Sequence, residues 1–189
     1  MDKPALAHAQ YPLEGRVGGS ALVAITPAGP ASRAVLRARD DAIGSLSKVL
    51  GVTLPQKPKT SATSTARKSA GRRALWIGPD EWLLIDDGAA DLAAACKNAA
   101  GTYSLVDVSN RNTAIIVSGK AAQATINAGC PQDLSLTAFP VGACSRTLLG
   151  KTEIILLREA EDVFRVEVWR SFSDYAFAFL SEAGRAPAI

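Results

Sequence analysis

The chain of 189 residues contains one histidine, His8, three cysteines and one methionine. So little histidine excludes much ordinary catalytic chemistry. His8 lies in residues 1–15, a stretch with the composition of a flexible N-terminal tail. A side chain on a mobile terminus is not held in the geometry that proton transfer needs. Ser-His-Asp and Cys-His constellations and histidine-built zinc sites are therefore not expected. Cys96, Cys130 and Cys144 are odd in number and form no Cys-x-x-Cys pair, which points to reduced thiols in the cytoplasm. Neither a Gly-x-Gly-x-x-Gly nor a Gly-x-x-x-x-Gly-Lys-Ser/Thr phosphate loop occurs, and the glycines at 18 and 19 read as a bulge or turn before a strand. No apolar run approaches the roughly 20 residues of a membrane helix, and the opening residues lack the apolar core of a secretory leader. The expectation is a chain without catalytic, cofactor-binding or metal-ligating residues of its own.

What is present is core-forming material. Hydrophobic residues make up 48% and charged residues 21%, enough for one packed domain, expected over residues 16–183. The net charge of +3 is unevenly distributed. Lys57, Lys59, Arg67, Lys68, Arg72 and Arg73 crowd one segment that contains no acid. The remaining 15 basic residues are outnumbered by 18 acids. The segment carries no aromatic side chain, so it lacks the stacking surface of a nucleic-acid binder, and residues 55–72 read as a solvated, mobile basic loop.

Apolar periodicity and turn residues give the expected elements. Strands are expected at 20–25, 33–37, 74–77, 82–85, 103–108, 113–117, 146–149, 154–157 and 164–169. Helices are expected at 41–50, 88–100 and 120–128, and a last one with Ser171 as its cap. That helix repeats Phe172, Tyr175, Ala176, Phe179 and Leu180 at core spacing. Strand pairs followed by single helices indicate an α+β fold with antiparallel or mixed sheets and helices packed on one side. The turn 78–81 predicts a hairpin with Ile77 opposite Trp82 and Leu75 opposite Leu84, or a bulge close by.

Four segments in order carry a family resemblance. Residues 75–84 read LWIGPDEWLL. Val106-Asp107-Val108-Ser109 precedes Thr113-Ala114 and Ser118-Gly119. Residues 128–134 read AGCPQDL and precede AFPVG at 138–142, and residues 170–175 read RSFSDY. Together they resemble the γ subunits of heterotetrameric sarcosine oxidases, which are similar to the folate-binding domain of glycine-cleavage aminomethyltransferases and to YgfZ-type proteins. The resemblance implies a non-catalytic subunit that assembles with α, β and δ chains. In such a complex sarcosine is demethylated oxidatively, the one-carbon unit passes to tetrahydrofolate, and hydrogen peroxide forms. The FAD, FMN, NAD and folate sites are implied for the α and β chains, and zinc for the δ chain. The alternative is a free-standing folate-binding protein of the YgfZ or aminomethyltransferase kind. Where the family often has a histidine after the Asp-Val-Ser triplet, this chain has Asn110.

Trp82, Trp169 and Arg170 are the candidate partner contacts, because Trp and Arg are enriched in interface hot spots; the competing reading places both tryptophans in the core. Asp86 and Asp87 read as acids at the start of a helix. Asp107 and Arg111 read as an ion pair across a tight turn, and Cys130 as a buried, inert thiol.

Overall fold

The computed structural model describes residues 11–185. Its elements run β1 (Gly18–Ser20), β2 (Val23–Pro27), β3 (Ser32–Ala38), α1 (Asp40–Leu50), β4 (Ser61–Thr63), β5 (Arg73–Gly78), β6 (Glu81–Asp86) and α2 (Leu92–Cys96). There follow β7 (Tyr103–Asp107), β8 (Asn112–Ser118), α3 (Ala122–Asn127), β9 (Cys144–Leu149), β10 (Thr152–Ala160), β11 (Val163–Trp169) and α4 (Ser173–Arg185). The strands form two sheets, ordered β1-β2-β8-β11-β10-β9 and β4-β5-β6-β3-β7. Every pairing is antiparallel.

Alternation of side chains sorts the core into three layers. On β10, Ile154 and Leu156 pack with α3 and α4, whereas Ile155 and Leu157 face the second sheet. On β6, Trp82 and Leu84 pack under α1 and α2, whereas Leu83 and Ile85 face the first sheet. Each sheet thus carries helices on one face and packs its other face on the second sheet. Burial on both faces is why these strands read as nearly unbroken apolar runs.

The hairpin of β5 and β6 keeps Gly78 opposite Glu81, but a bulge at Ile77 shifts the rest, so that Trp76 opposes Trp82 and Leu75 opposes Leu83. The extra residue reconciles a two-residue turn with the strand twist and moves the pairing by one residue relative to the simple expectation.

Residues 55–72, the expected mobile basic loop, keep more than half of their side chains exposed and are anchored at particular points. β4 pairs with β5 at the sheet edge, and Ser64, Ser69 and Arg72 are buried. Arg72 donates to Asp86 Oδ2 at 2.8 Å and to the Leu50 carbonyl at 2.6 Å, tying the segment to the end of α1. A guanidinium with two fixed acceptors holds a polar stretch that could not hold itself by apolar burial.

Of the expected tail, residues 1–10 lie outside the described residues, His8 among them. Residues 11–15 form a turn whose Leu13 is buried in the helix-side core of the first sheet. The start of α4 also differs. A 3-10 turn over Arg170–Phe172 precedes the helix, and Ser173 Oγ donates back to the Arg170 carbonyl at 2.8 Å. The delayed start rotates the buried stripe to Ser173, Ala176, Phe177, Leu180 and Gly184. Phe172 and Tyr175 therefore point outward, contrary to expectation.

Candidate partner interface

The strands place charge between the sheets as well as apolar side chains. Arg33 of β3 donates through Nε to Glu167 Oε2 of β11 at 2.6 Å, and Arg165 Nε donates to Glu167 Oε1 at 2.8 Å. Arg165 reaches Asp87 Oδ1 at 3.4 Å and Glu159 at 3.8 Å. Arg73 reaches Asp87 at 2.5 Å and Glu159 at 3.3 Å. Burial acts to raise the Asp87 carboxyl, but the Arg73 hydrogen bond and the charges of Arg165, Arg73 and Arg33 hold it below its ordinary value. Asp86 and Asp87 therefore serve ion pairs, not the start of a helix. That start belongs to Asp91, whose carboxylate accepts from Ala94 N at 2.9 Å and caps α2.

The expected ion pair of Asp107 with Arg111 does not form. Its carboxylate accepts the Ser109 N–H at 2.7 Å, and hydrogen bonds from Ser109 hold its pKa below the ordinary value. An open cleft of about 310 Å³ between β3, β7 and the approach to α2 is lined by Arg33, Asp91, Asp107 and Ser109. Asp91, Asp107 and Ser109 there already have internal partners.

The three thiols are buried and unpaired. Burial pushes the Cys144 thiol up to about 12 and also raises Cys96. Such thiols are not nucleophiles at neutral pH. Among the described residues, no group of three or more His, Cys, Asp or Glu side chains is placed to hold a metal ion.

The three expected contact residues separate. Trp82 is completely buried among Leu36, Leu46 and Leu84, and its indole N–H donates to the Pro55 carbonyl at 2.6 Å. It belongs to the core and is withdrawn from the interface set. Trp169 ends β11 and is 41% exposed. Arg170 follows it on the surface, and its backbone N–H donates to the Arg111 carbonyl at 2.7 Å. That bond brings the β7–β8 turn beside the end of β11, and the Arg111 guanidinium lies 4.4 Å from the centre of the Trp169 ring. Phe172 stands 6.1 Å from Trp169, ring centre to ring centre. One turn along the helix, Tyr175 packs on Phe179 at 6.2 Å, and its hydroxyl accepts the Lys151 N–H at 3.0 Å. Gly150 permits this approach. A Cβ there would stand 2.3 Å from the Tyr175 hydroxyl, and the backbone has φ +58°.

The result is a strip of three outward rings, Trp169, Phe172 and Tyr175, with Arg111 stacked on one end. Sequence reading missed Arg111, Phe172 and Tyr175 as surface groups. The usable signal was Ser173, a second possible helix start two residues after Ser171, which alters which face is buried. No helix among the described residues is long and apolar enough to cross a membrane.

The two stacked antiparallel sheets with outer helices define a class by fold, the α+β domains of aminomethyltransferase type. The fold matches the glycine cleavage system aminomethyltransferase T of Bartonella henselae with a TM-score of 0.59 and 10% identity, over 85% of this chain and 45% of that one. It matches a chain of the heterotetrameric sarcosine oxidase of Corynebacterium sp. U-96, in complex with pyrrole 2-carboxylate, with a TM-score of 0.78 and 24% identity, over 88% and 87% of the two chains. The chain belongs to the sarcosine oxidase gamma subunit family, whose model matches residues 38–186. It is 31% identical to the sarcosine oxidase subunit gamma of Corynebacterium sp. (strain P-1) over 141 residues, which is 74% of this chain and 68% of that relative. The corresponding subunit of Arthrobacter sp. is 30% identical over the same length.

Proposed function

We propose that this chain is a non-catalytic γ subunit of a heterotetrameric sarcosine oxidase and acts in the cytoplasm by assembling with and stabilising α, β and δ chains. The observation that carries this reading is the outward strip of Trp169, Phe172 and Tyr175 in a chain of that family, with Arg111 stacked on Trp169. Aromatic side chains beside arginine are the usual anchors of protein interfaces. On this reading Trp169 and Arg170 touch a partner chain, the family's flavin, nicotinamide, folate and zinc sites lie on the other subunits, and the complex oxidises sarcosine.

The test is co-expression of this chain with the α, β and δ chains of a sarcosine oxidase from the same source, followed by affinity capture and mass measurement of the complex. A single assembly containing all four chains is expected, with this subunit required for full stability of the oxidase on heating. A complex equally active and equally stable without this chain would overturn the assembly role. Stoichiometric folate retained by the isolated chain would favour a free-standing folate-binding protein.

A further inference from the structure

The second sheet ends on β7, which pairs on one side only, with β3. The Val108 N–H donates to the Arg33 carbonyl at 2.9 Å, and the Arg39 N–H to the Thr102 carbonyl at 3.0 Å. In an antiparallel pair every second residue bonds its neighbour. With Val35 opposite Val106 and Arg37 opposite Ser104, the residues bonded to β3 are therefore Ser104 and Val106. Tyr103, Leu105 and Asp107 turn their N–H and C=O groups away from β3, and among the described residues those groups have no partner. The other sheet edges are guarded. β1 is three residues long and packs on α4. β4 is as short, and its Ser61 N–H donates to the Gly142 carbonyl. β9 carries Arg146, and its Cys144 N–H donates to the Lys59 carbonyl. β7 has no proline, no basic residue and no bulge, and its Val106 is 56% exposed.

At the Asp107 end of this edge opens the cleft of about 310 Å³ beside α2, with Ala89, Ala90 and Ala93 in its wall. Asp91 accepts from Ala94 and Asp107 from Ser109, and among the described residues neither carboxylate is in an ion pair. The cation in the lining, Arg33, is already bonded to Glu167.

We infer that the open edge of β7 accepts an extended segment of another chain of the complex as a sixth strand of the second sheet, and that this segment places a lysine or arginine side chain between Asp91 and Asp107. The inference rests on the assembly reading above and names a second contact, separate from the aromatic strip. Outward donors and acceptors that recur every second residue, about 7 Å apart, match an extended backbone. In such strand addition the main chain supplies affinity and side-chain pockets supply specificity. Side chains opposite Leu105 and Asp107 fall on the same face as these two, which is the face of the cleft. Two carboxylates without a cation there select a basic group. A second copy of this chain pairing β7 on β7 supplies no such group, because Tyr103–Asp107 contains none.

The test is amide hydrogen exchange, read residue by residue by mass spectrometry, on the isolated chain and on the four-chain complex. In the isolated chain the Tyr103, Leu105 and Asp107 amides should exchange quickly while Ser104 and Val106 are protected. In the complex the three outward amides should slow by about 100-fold or more. Outward amides that stay fast in the complex would overturn the inference. So would amides already slow in the isolated chain, which would show the edge covered by this chain itself or by a second copy. Absence of any complex is a different outcome and removes the assembly reading, and the inference with it. Asp107→Lys should weaken assembly about ten-fold or more, and Asp107→Asn by less. Unchanged affinity of Asp107→Lys would overturn the basic side chain.

Discussion

Arg33 and Glu167 meet across the gap between the two sheets, Nε to Oε2 at 2.6 Å, with both side chains almost completely removed from solvent. Glu167 also accepts from Arg165, so one carboxylate is shared by two buried guanidinium groups. Removing one member of a buried pair leaves the others charged in a medium that solvates them poorly. Glu167→Ala is therefore expected to destabilise the domain by about 3–5 kcal/mol, measured by urea unfolding. A loss below 1 kcal/mol would mean that the network relaxes without cost.

Acid should weaken the same junction through Asp87. Its folded-state carboxyl is held below the ordinary 3.8. A depressed carboxyl stabilises the fold when charged, so its contribution is present above about that value and is lost as pH falls through the folded value. Asp87→Asn should flatten this part of the acid limb of stability below pH 4. The measurement is the melting temperature as a function of pH for both proteins, and the effect is modest because the side chain is 45% exposed.

Trp82 and Trp169 should behave oppositely. Trp82→Ala removes a fully buried ring and its bond to Pro55, and is expected to cost about 3–5 kcal/mol of stability. Trp169→Ala is expected to change stability of the isolated chain by no more than about 1 kcal/mol. The same substitution should weaken assembly with the other chains by about 2 kcal/mol or more, roughly thirty-fold. Calorimetry on the free chain and titration into the remaining subunits separate the two effects.

The basic segment offers a further check. With Arg72 locked to Asp86 and Leu50, trypsin should cut slowly between residues 55 and 72 in spite of the lysines there. Arg72→Ala leaves Asp86 buried without its main-partner cation and frees the segment, so cleavage at Lys59, Arg67 and Lys68 should accelerate several-fold under native conditions. Equal cleavage rates in the two proteins would show that the ion pair does not hold the segment.

Much of the fold was legible along the chain. The α+β class and most strands were visible because alternation, β-branched runs and turn residues are local properties, and the helix at 40–50 because its apolar spacing is. The burial of Cys130 also follows from its apolar neighbours in sequence. The chain by itself also indicated its family, because four short segments keep their order. It could not reveal the role of residues 55–72, since Arg72 is anchored by Asp86, fourteen residues away, and by the backbone at the end of α1. It could not decide between Trp82 and Trp169 either. Both end or begin apolar strands, and their burial differs because Trp82 lies beneath α1 whereas Trp169 projects where β11 leaves the sheet. Tertiary structure likewise decided that Phe172 and Tyr175 face outward, through a 3-10 turn that delays α4. Local patterns set which residues can form a strand or helix. Only the packing of sheet on sheet sets which face is covered, because that burial is supplied by side chains far away in the chain.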